Sequence, residues 1–286
     1  MNRGLNLDLE RQHQDGTELQ FGALSQPGIV SIPLAEREKY LPLGEDQNIG
    51  EEKFDCASRS PVNHLAALFT YHYNHAMHPD NKKWLKDKGY LLDIDDAPVD
   101  FSDVFVAINS GTTRSGNSLK APLQAIHSQG LIPKWMLPQL HGFDENYDPK
   151  RITQEMRDLG AEFARRFAVT YEQVQSVHFG DVLTDDMVGV AGGAWPEKVN
   201  GVYPRWDGQI NHAFLLYSLP QFQAFDNYRE APEDYTKNLA PDFKFYDYGY
   251  RVILSAEDPN ATVKQISLYK QLIAVLLKIR AILIGA

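Results

Sequence analysis

The hydrophobic positions along the chain change their period partway. Apolar residues 62, 65, 68 and 69 recur three and four apart, without Gly and without Pro after Pro61. That spacing predicts a helix running from Ser58 or Ser60 to about His78. Ser60 before Pro61 suits an N-cap followed by a first-turn proline, and a start nearer Cys56 fits equally well. Residues 101–109 read as a strand and 110–118 as a polar loop. Residues 119–129 read as a helix closed by Gly130. Residues 152–167 read as a further helix with Leu159, Phe163 and Phe167 on one face. From about Val169 the pattern shifts to period two and short runs, with strands expected at 187–191, 212–218, 223–225 and 249–254. Between them lie Gly192-Gly193, Asp207-Gly208 and Leu219-Pro220. The glycine pair suits a bend, or a close approach of a substrate backbone.

The two ends differ from this middle. Residues 1–50 are irregular, with turn signals at Asp15-Gly16, Gln26-Pro27-Gly28 and Leu41-Pro42, and with short apolar pieces such as 28–32 that suit edge strands. Residues 261–285 read as a separate amphipathic helix. Leu268, Leu272, Val275, Ile279 and Ile282 follow a coiled-coil seam, and Ile273, Leu276 and Leu283 widen it. So wide a stripe calls for a cover. Self-association or a partner protein is the expected one; docking on the chain itself or on a membrane surface are the alternatives. Helices first and strands later predict an α+β protein. The expected organisation is one hydrolase-sized domain, 1–260, with a helical lobe at 41–168 and an antiparallel β lobe at 169–256, followed by the helix at 261–286.

Composition narrows the classes of function. Of 286 residues, 43% are hydrophobic and 23% charged, the balance of a soluble globular protein. A net charge of −10 without any Lys/Arg run argues against nucleic acid as a partner. No apolar run reaches membrane-span length, and residues 1–15 lack the apolar centre of a secretory signal, so cytoplasmic synthesis is expected.

The single cysteine, Cys56, rules out an intramolecular disulfide and a multi-cysteine zinc site. A lone cysteine is commonly a small buried hydrophobe. Cys56, however, stands at or just before a helix start, where the helix dipole favours a thiolate. A nearby imidazolium would favour it further. Of nine histidines, His212 is the best placed, because it opens a strand and a strand is a rigid mount for a base. Asp226-Asn227-Tyr228 follows the next strand and offers an acceptor to orient the imidazole. His72, His75 and His78 drift around their helix and gain no carboxylate four residues on, so they read as solvated helix-end residues. No metal or other cofactor is expected. Residues 111–118 come close to a phosphate-binding loop, but Asn117 stands where its lysine belongs and Lys120 falls a turn late. A polar turn capped by Ser115 or Asn117 is expected there, with a nucleotide hydrolase as an outlying alternative.

These residues together resemble the papain-like cysteine peptidases. Asn211-His212-Ala213 followed by aliphatics is similar to that family's Asn-His-Ala-Val motif. Cys56 at a helix start is similar to its nucleophile. The Cys-to-His separation of 156 lies close to the family's range of about 130–150. Residues 187–190 resemble the strand before the family's histidine, and 249–254 its closing Gly-Tyr-aliphatic strand. The resemblance spans roughly residues 40–255. There are departures. The family's Gly-Ser-Cys-Trp reads Phe54-Asp55-Cys56-Ala57. Its oxyanion glutamine, six residues before the cysteine, is Gly50, with Gln47 the nearest upstream Gln. Its Asn-Ser-Trp reads Asp226-Asn227-Tyr228. In these features the chain looks more like divergent members from bacteriophages and small bacteria.

The resemblance implies a two-lobed papain-like fold and a thiol-dependent hydrolase of peptide or peptidoglycan amide bonds. Cys56 would be the nucleophile, His212 the base and Asp226 the orienter, with Asn227 its rival. The Cys56 N–H and the Gln47 amide would hold the oxyanion. Residues 1–40 would be placed to shield the cleft. The alternative is a structural or binding protein that keeps the scaffold, for example a phage particle component.

Overall fold

The structure is a computed structural model that describes residues 4–16, 18–23, 28–94, 98–229 and 234–256. The helix expected at 261–285 lies outside the described residues. The chain starts with two short helices, α1 (Leu7–His13) and α2 (Arg37–Tyr40), before the long α3 (Cys56–His75). Then follow α4 (Pro79–Asp87), α5 (Asp103–Asn109), α6 (Lys120–Gln129), α7 (Phe143–Asn146), α8 (Gln154–Arg166) and α9 (Phe179–Asp185). Gly130 closes α6 at φ 72°, a backbone conformation that glycine adopts without a Cβ penalty.

Helix α3 begins at Cys56 itself. Pro61 is its sixth residue, so the missing N–H deprives only the Ala57 carbonyl of a helical bond. From Cys56 to Thr70 nearly every side chain is buried, polar ones included. The helix is wrapped by α2, α5 and α6 on one side and lies on β2, β3 and β6 of the sheet described next.

The sheet is antiparallel throughout, in the order β1-β6-β2-β3-β4-β5. Its strands are β1 (Val169–Gln175), β2 (Val188–Gly192), β3 (His212–Ser218), β4 (Gln223–Phe225), β5 (Thr236–Asn238) and β6 (Tyr248–Leu254). Strand β3 explains why this half was readable. Its Ala213, Leu215 and Tyr217 enter the core shared with α3, and its alternate residues Phe214 and Leu216 enter a second core with Phe179, Val182 and Leu183 of α9. Both faces are covered, so the strand appears in sequence as one apolar run.

Several expectations change. Residues 103–109 are helical, not a strand. Ser102 caps them by accepting from Phe105 N at 3.1 Å, and Val104 to Ala107 are all buried. An all-round buried short helix has no polar side, which leaves its period unreadable. The 111–118 loop therefore follows a helix, and the strand–loop–helix context of a phosphate loop is lost. Neither Ser115 nor Asn117 caps α6. Ser118 Oγ accepts from Ala121 N, and the buried Glu10 carboxylate accepts from Leu119 N and Lys120 N. His72 is buried rather than solvated, whereas His75, which shares a hydrogen bond with the Tyr40 hydroxyl, and His78, which caps α4, are exposed as expected. Residues 28–32 make only an isolated bridge, Ile29 to Ser255. The β1 edge, β5, α4 and α9 had no strong sequence signal. Among the described residues, no helix is long and apolar enough to cross a membrane.

Candidate active site

The start of α3 lies against the start of β3, which brings Cys56 to the residue after His212 without a hydrogen bond between Sγ and the imidazole Nδ1. The Cys56 Sγ accepts a hydrogen bond from Ala213 N at 3.3 Å, so the sulfur lies against the residue that follows His212. His212 stands opposite Gly192 at the β2–β3 edge. Its Nε2 is 2.7 Å from Asp226 Oδ1. A carboxylate only accepts, so Nε2 carries a proton, and in the neutral ring the lone pair is on Nδ1. His212 Nδ1 is buried and has no hydrogen-bond partner among the described residues.

Asp226 follows β4, the strand that pairs with β3, and reaches back to His212 across that pairing. It accepts three further or shared contacts that fix it: His212 Nε2, its neighbour Asn227 N at 2.7 Å on Oδ1, and Trp195 Nε1 at 2.6 Å on Oδ2. Asn227, the sequence rival, points elsewhere. It takes Asn63 Nδ2 on its Oδ1 at 2.8 Å and donates to the Glu45 carbonyl at 3.0 Å. The imidazole is walled by aromatic rings: Tyr228 at 4.9 Å, Trp195 at 5.8 Å and nearly perpendicular, and Phe214 at 5.9 Å.

Gln47 lies at the edge of this group. Its Nε2 donates to Glu52 Oε1 at 2.7 Å and to the Tyr228 hydroxyl at 2.6 Å, while Tyr228 donates to Glu52 Oε2 at 2.6 Å. Its amide is thus joined, directly and through a carboxylate four residues before the cysteine, to the tilted Tyr228 ring beside His212. Sequence reasoning passed over Trp195 and Glu52. Trp195 lies 31 residues from Asp226 and has no local motif to mark it. Glu52 sits in a run of charges that reads as solvated.

The thiol differs from the expectation of an activated one. Cys56 is 1% exposed and His212 fully buried. Burial pushes the Cys56 thiol well above its usual range, the Ala213 N–H opposes this, and the carboxylates of Asp55, Glu52 and Asp226 add to it. The Gly4–Asn6 stretch bridges the two sides of this group. Leu5 N donates to Asn211 O at 3.3 Å, Asn6 N to Asn117 O at 2.8 Å, and Asn117 N to Gly4 O at 2.9 Å. Gly4 lies so close to the Phe54 backbone that a Cβ on it would come within 2.4 Å of Phe54 C. These residues span from the neighbour of His212 to within two positions of Cys56.

Gly192-Gly193 meets aromatic side chains. A Cβ on Gly192 would fall 2.8 Å from the Phe243 ring, and one on Gly193 2.0 Å from the Trp206 ring. Among the described residues, no group of His, Cys, Asp and Glu is arranged to hold a metal ion.

No known protein-family pattern matches the chain, and no curated protein matches it. Solved structures do. Procathepsin B S9 from Trypanosoma congolense is similar with a TM-score of 0.52 at 11% identity, over 85% of this chain and 85% of that one. The proform of the Amb a 11 cysteine protease, a ragweed pollen allergen, is similar with a TM-score of 0.50 at 11% identity, over 84% of this chain and 69% of that one. At such identity the likeness speaks for architecture alone, and with the mixed helical and antiparallel layout above it establishes that the chain has an α+β, papain-like fold.

Proposed function

We propose that the chain is a thiol-dependent hydrolase of peptide or related amide bonds, with Cys56 as nucleophile, His212 as base and Asp226 as orienter. The observation that carries this reading is the buried His212–Asp226 pair beside the Cys56 sulfur. A fixed tautomer leaves the Nδ1 lone pair as the group that takes the thiol proton. Cys56 Sγ attacks the carbonyl carbon and forms a tetrahedral oxyanion, which the Cys56 backbone N–H stabilises. His212 returns the proton to the leaving amine, and water then cleaves the thioester. Gln47 serves as a second oxyanion donor only by exchanging one of its bonds to Glu52 or Tyr228. Losing one such donor typically costs about 3 kcal/mol of transition-state stabilisation. In this reading the closed, neutral thiol is a resting arrangement, and substrate must displace residues 4–6.

A second reading, a binding protein on this scaffold, is favoured by one observation, the walled-in neutral thiol. One experiment separates the two. The full chain is treated with p-nitrophenyl acetate and with fluorescein-labelled casein. Acetylation of Cys56 by mass spectrometry together with casein cleavage, both lost in Cys56→Ala and nearly lost in His212→Ala, supports the hydrolase. An unmodified Cys56 and intact casein support the binding protein.

A further inference from the structure

Arg59 lies one helical turn beyond Cys56 and is 2% exposed. Its Nε donates to Asp55 Oδ1 at 2.8 Å. Its Nη1 lies 2.7 Å from Asp103 Oδ2 and 3.3 Å from Glu45 Oε2, and its Nη2 donates to Gln139. Burying a guanidinium costs several kcal/mol, and a hydrophobic residue of similar volume commonly fills such a space at lower cost. What a hydrophobe lacks is the rigid fork of donors that sets direction. Here that fork donates to acceptors from three separate stretches of chain, at Glu45, Asp55 and Gln139, with the Asp103 carboxyl close beside it.

One arm leads to the nucleophile. Asp55 directly precedes Cys56, yet its side chain makes no capping bond to α3. Its Oδ1 is held by Arg59 and its Oδ2 by the Tyr147 hydroxyl at 2.7 Å. Phe54 has φ 52°, a left-handed conformation that a bulky residue rarely adopts. Such a turn persists only when its surroundings hold it. The peptide between Asp55 and Cys56 supplies the oxyanion-binding N–H, so a tilt there moves the donor as well as the sulfur.

The other arm leads to the orienting loop. The Glu45 carbonyl accepts from Asn227 Nδ2 at 3.0 Å, and Gln47 N donates to Asn227 O at 3.0 Å. Asn227 N in turn donates to Asp226 Oδ1, the oxygen that holds His212. Lys134 anchors the far side by pairing with Glu45 at 3.1 Å and Asp100 at 3.7 Å.

We propose that Arg59 is a positioning residue that sets the nucleophile's turn through Asp55 and the Asp226 loop through Glu45, keeping the two halves of the site in register. The proposal rests on reading Cys56, His212 and Asp226 as the catalytic set. The full chain is compared with Arg59→Lys, which keeps the charge and loses the fork, and Tyr147→Phe, which removes only the hydroxyl on Asp55. Two readouts are taken on proteins that unfold cooperatively: Cys56 acetylation by p-nitrophenyl acetate, and the ring-nitrogen NMR signals of His212. The maximal acetylation rate should fall about tenfold in Arg59→Lys and about threefold in Tyr147→Phe, with the half-saturating ester concentration unchanged. The His212 signals should shift in Arg59→Lys. Wild-type rates and wild-type His212 signals in folded variants overturn the proposal. A lost rate with unmoved His212 signals in Arg59→Lys overturns the Glu45 arm. Should Arg59→Lys not fold, Tyr147→Phe decides the Asp55 arm alone. A wild-type chain that is never acetylated defeats the hydrolase reading, and the His212 signals then decide this one.

Discussion

At the scale of single residues, Asp226 sets which nitrogen of His212 carries the shared proton, and Trp195 helps decide where Asp226 stands. The indole N–H is one of few donors on the outer oxygen of that carboxylate. A hydrogen bond to a charged group contributes about 1.5–3 kcal/mol, so Trp195→Phe should slow Cys56 acetylation by roughly tenfold or more. A rate equal to wild type in stopped-flow assays would remove Trp195 from the machinery. The thiol makes a second prediction. Burial and three nearby carboxylates raise its pKa, so the neutral form persists past the pH at which a free cysteine ionises. Iodoacetamide should therefore modify intact protein slowly at neutral pH and speed up only in stronger alkali. Rapid alkylation at neutral pH would show that the closed arrangement is not the dominant one. Cys56, His212 and Asp226 were legible because each stands in a short local motif or beside one. Trp195 and Arg59 were not, since their roles come from partners far along the chain.

At the scale of elements, the α3 start and the β3 start form the candidate site, and residues 4–6 contact Phe54 on one side of it and Asn211 on the other. Gly4 has φ 107° and abuts Phe54, so any side chain there must displace the stretch. Deleting residues 1–6, or replacing Gly4 by Val, should raise the acetylation rate of Cys56 by an order of magnitude or more, on the general rule that access to a buried group follows the local opening equilibrium. An unchanged rate in a folded deletion variant would exclude this stretch as a cover. The sequence announced α3, α6, α8 and the strands at 212–218 and 223–225, where period, caps and turn residues agree. It misled at 103–109, where burial on all sides erased the polar face that separates a helix from a strand. It was silent on β1 and β5, edge strands whose pairing partners, β6 and β4, supply much of their reason to be strands.

At the scale of the whole molecule, the buried charges around Arg59 join α3 to α5 and to the loop carrying Glu45, and make stability depend on pH. Burial, together with Glu45 and Asp55, outweighs the attraction of Arg59 and pushes the Asp103 carboxyl from 3.8 up to about 7. Between those values the folded chain keeps a proton that the unfolded chain has released. Stability therefore falls as pH rises across that window and is greatest below it, as far as this group is concerned. Melting temperatures measured from pH 4 to pH 7 should decline more steeply in wild type than in Asp103→Asn, whose amide cannot ionise. Parallel curves would show that Asp103 does not carry this dependence.

By itself, the sequence determined the class of fold and the candidate nucleophile, base and orienter. Local periodicity and short motifs are properties of neighbouring residues and survive without coordinates. Tertiary structure alone decided that Asp226 rather than Asn227 meets His212, that Gln47 bonds Glu52 and Tyr228, and that the thiol is enclosed and neutral. Each of these depends on distance and desolvation between residues remote in the chain, and neither quantity is written in the order of the amino acids.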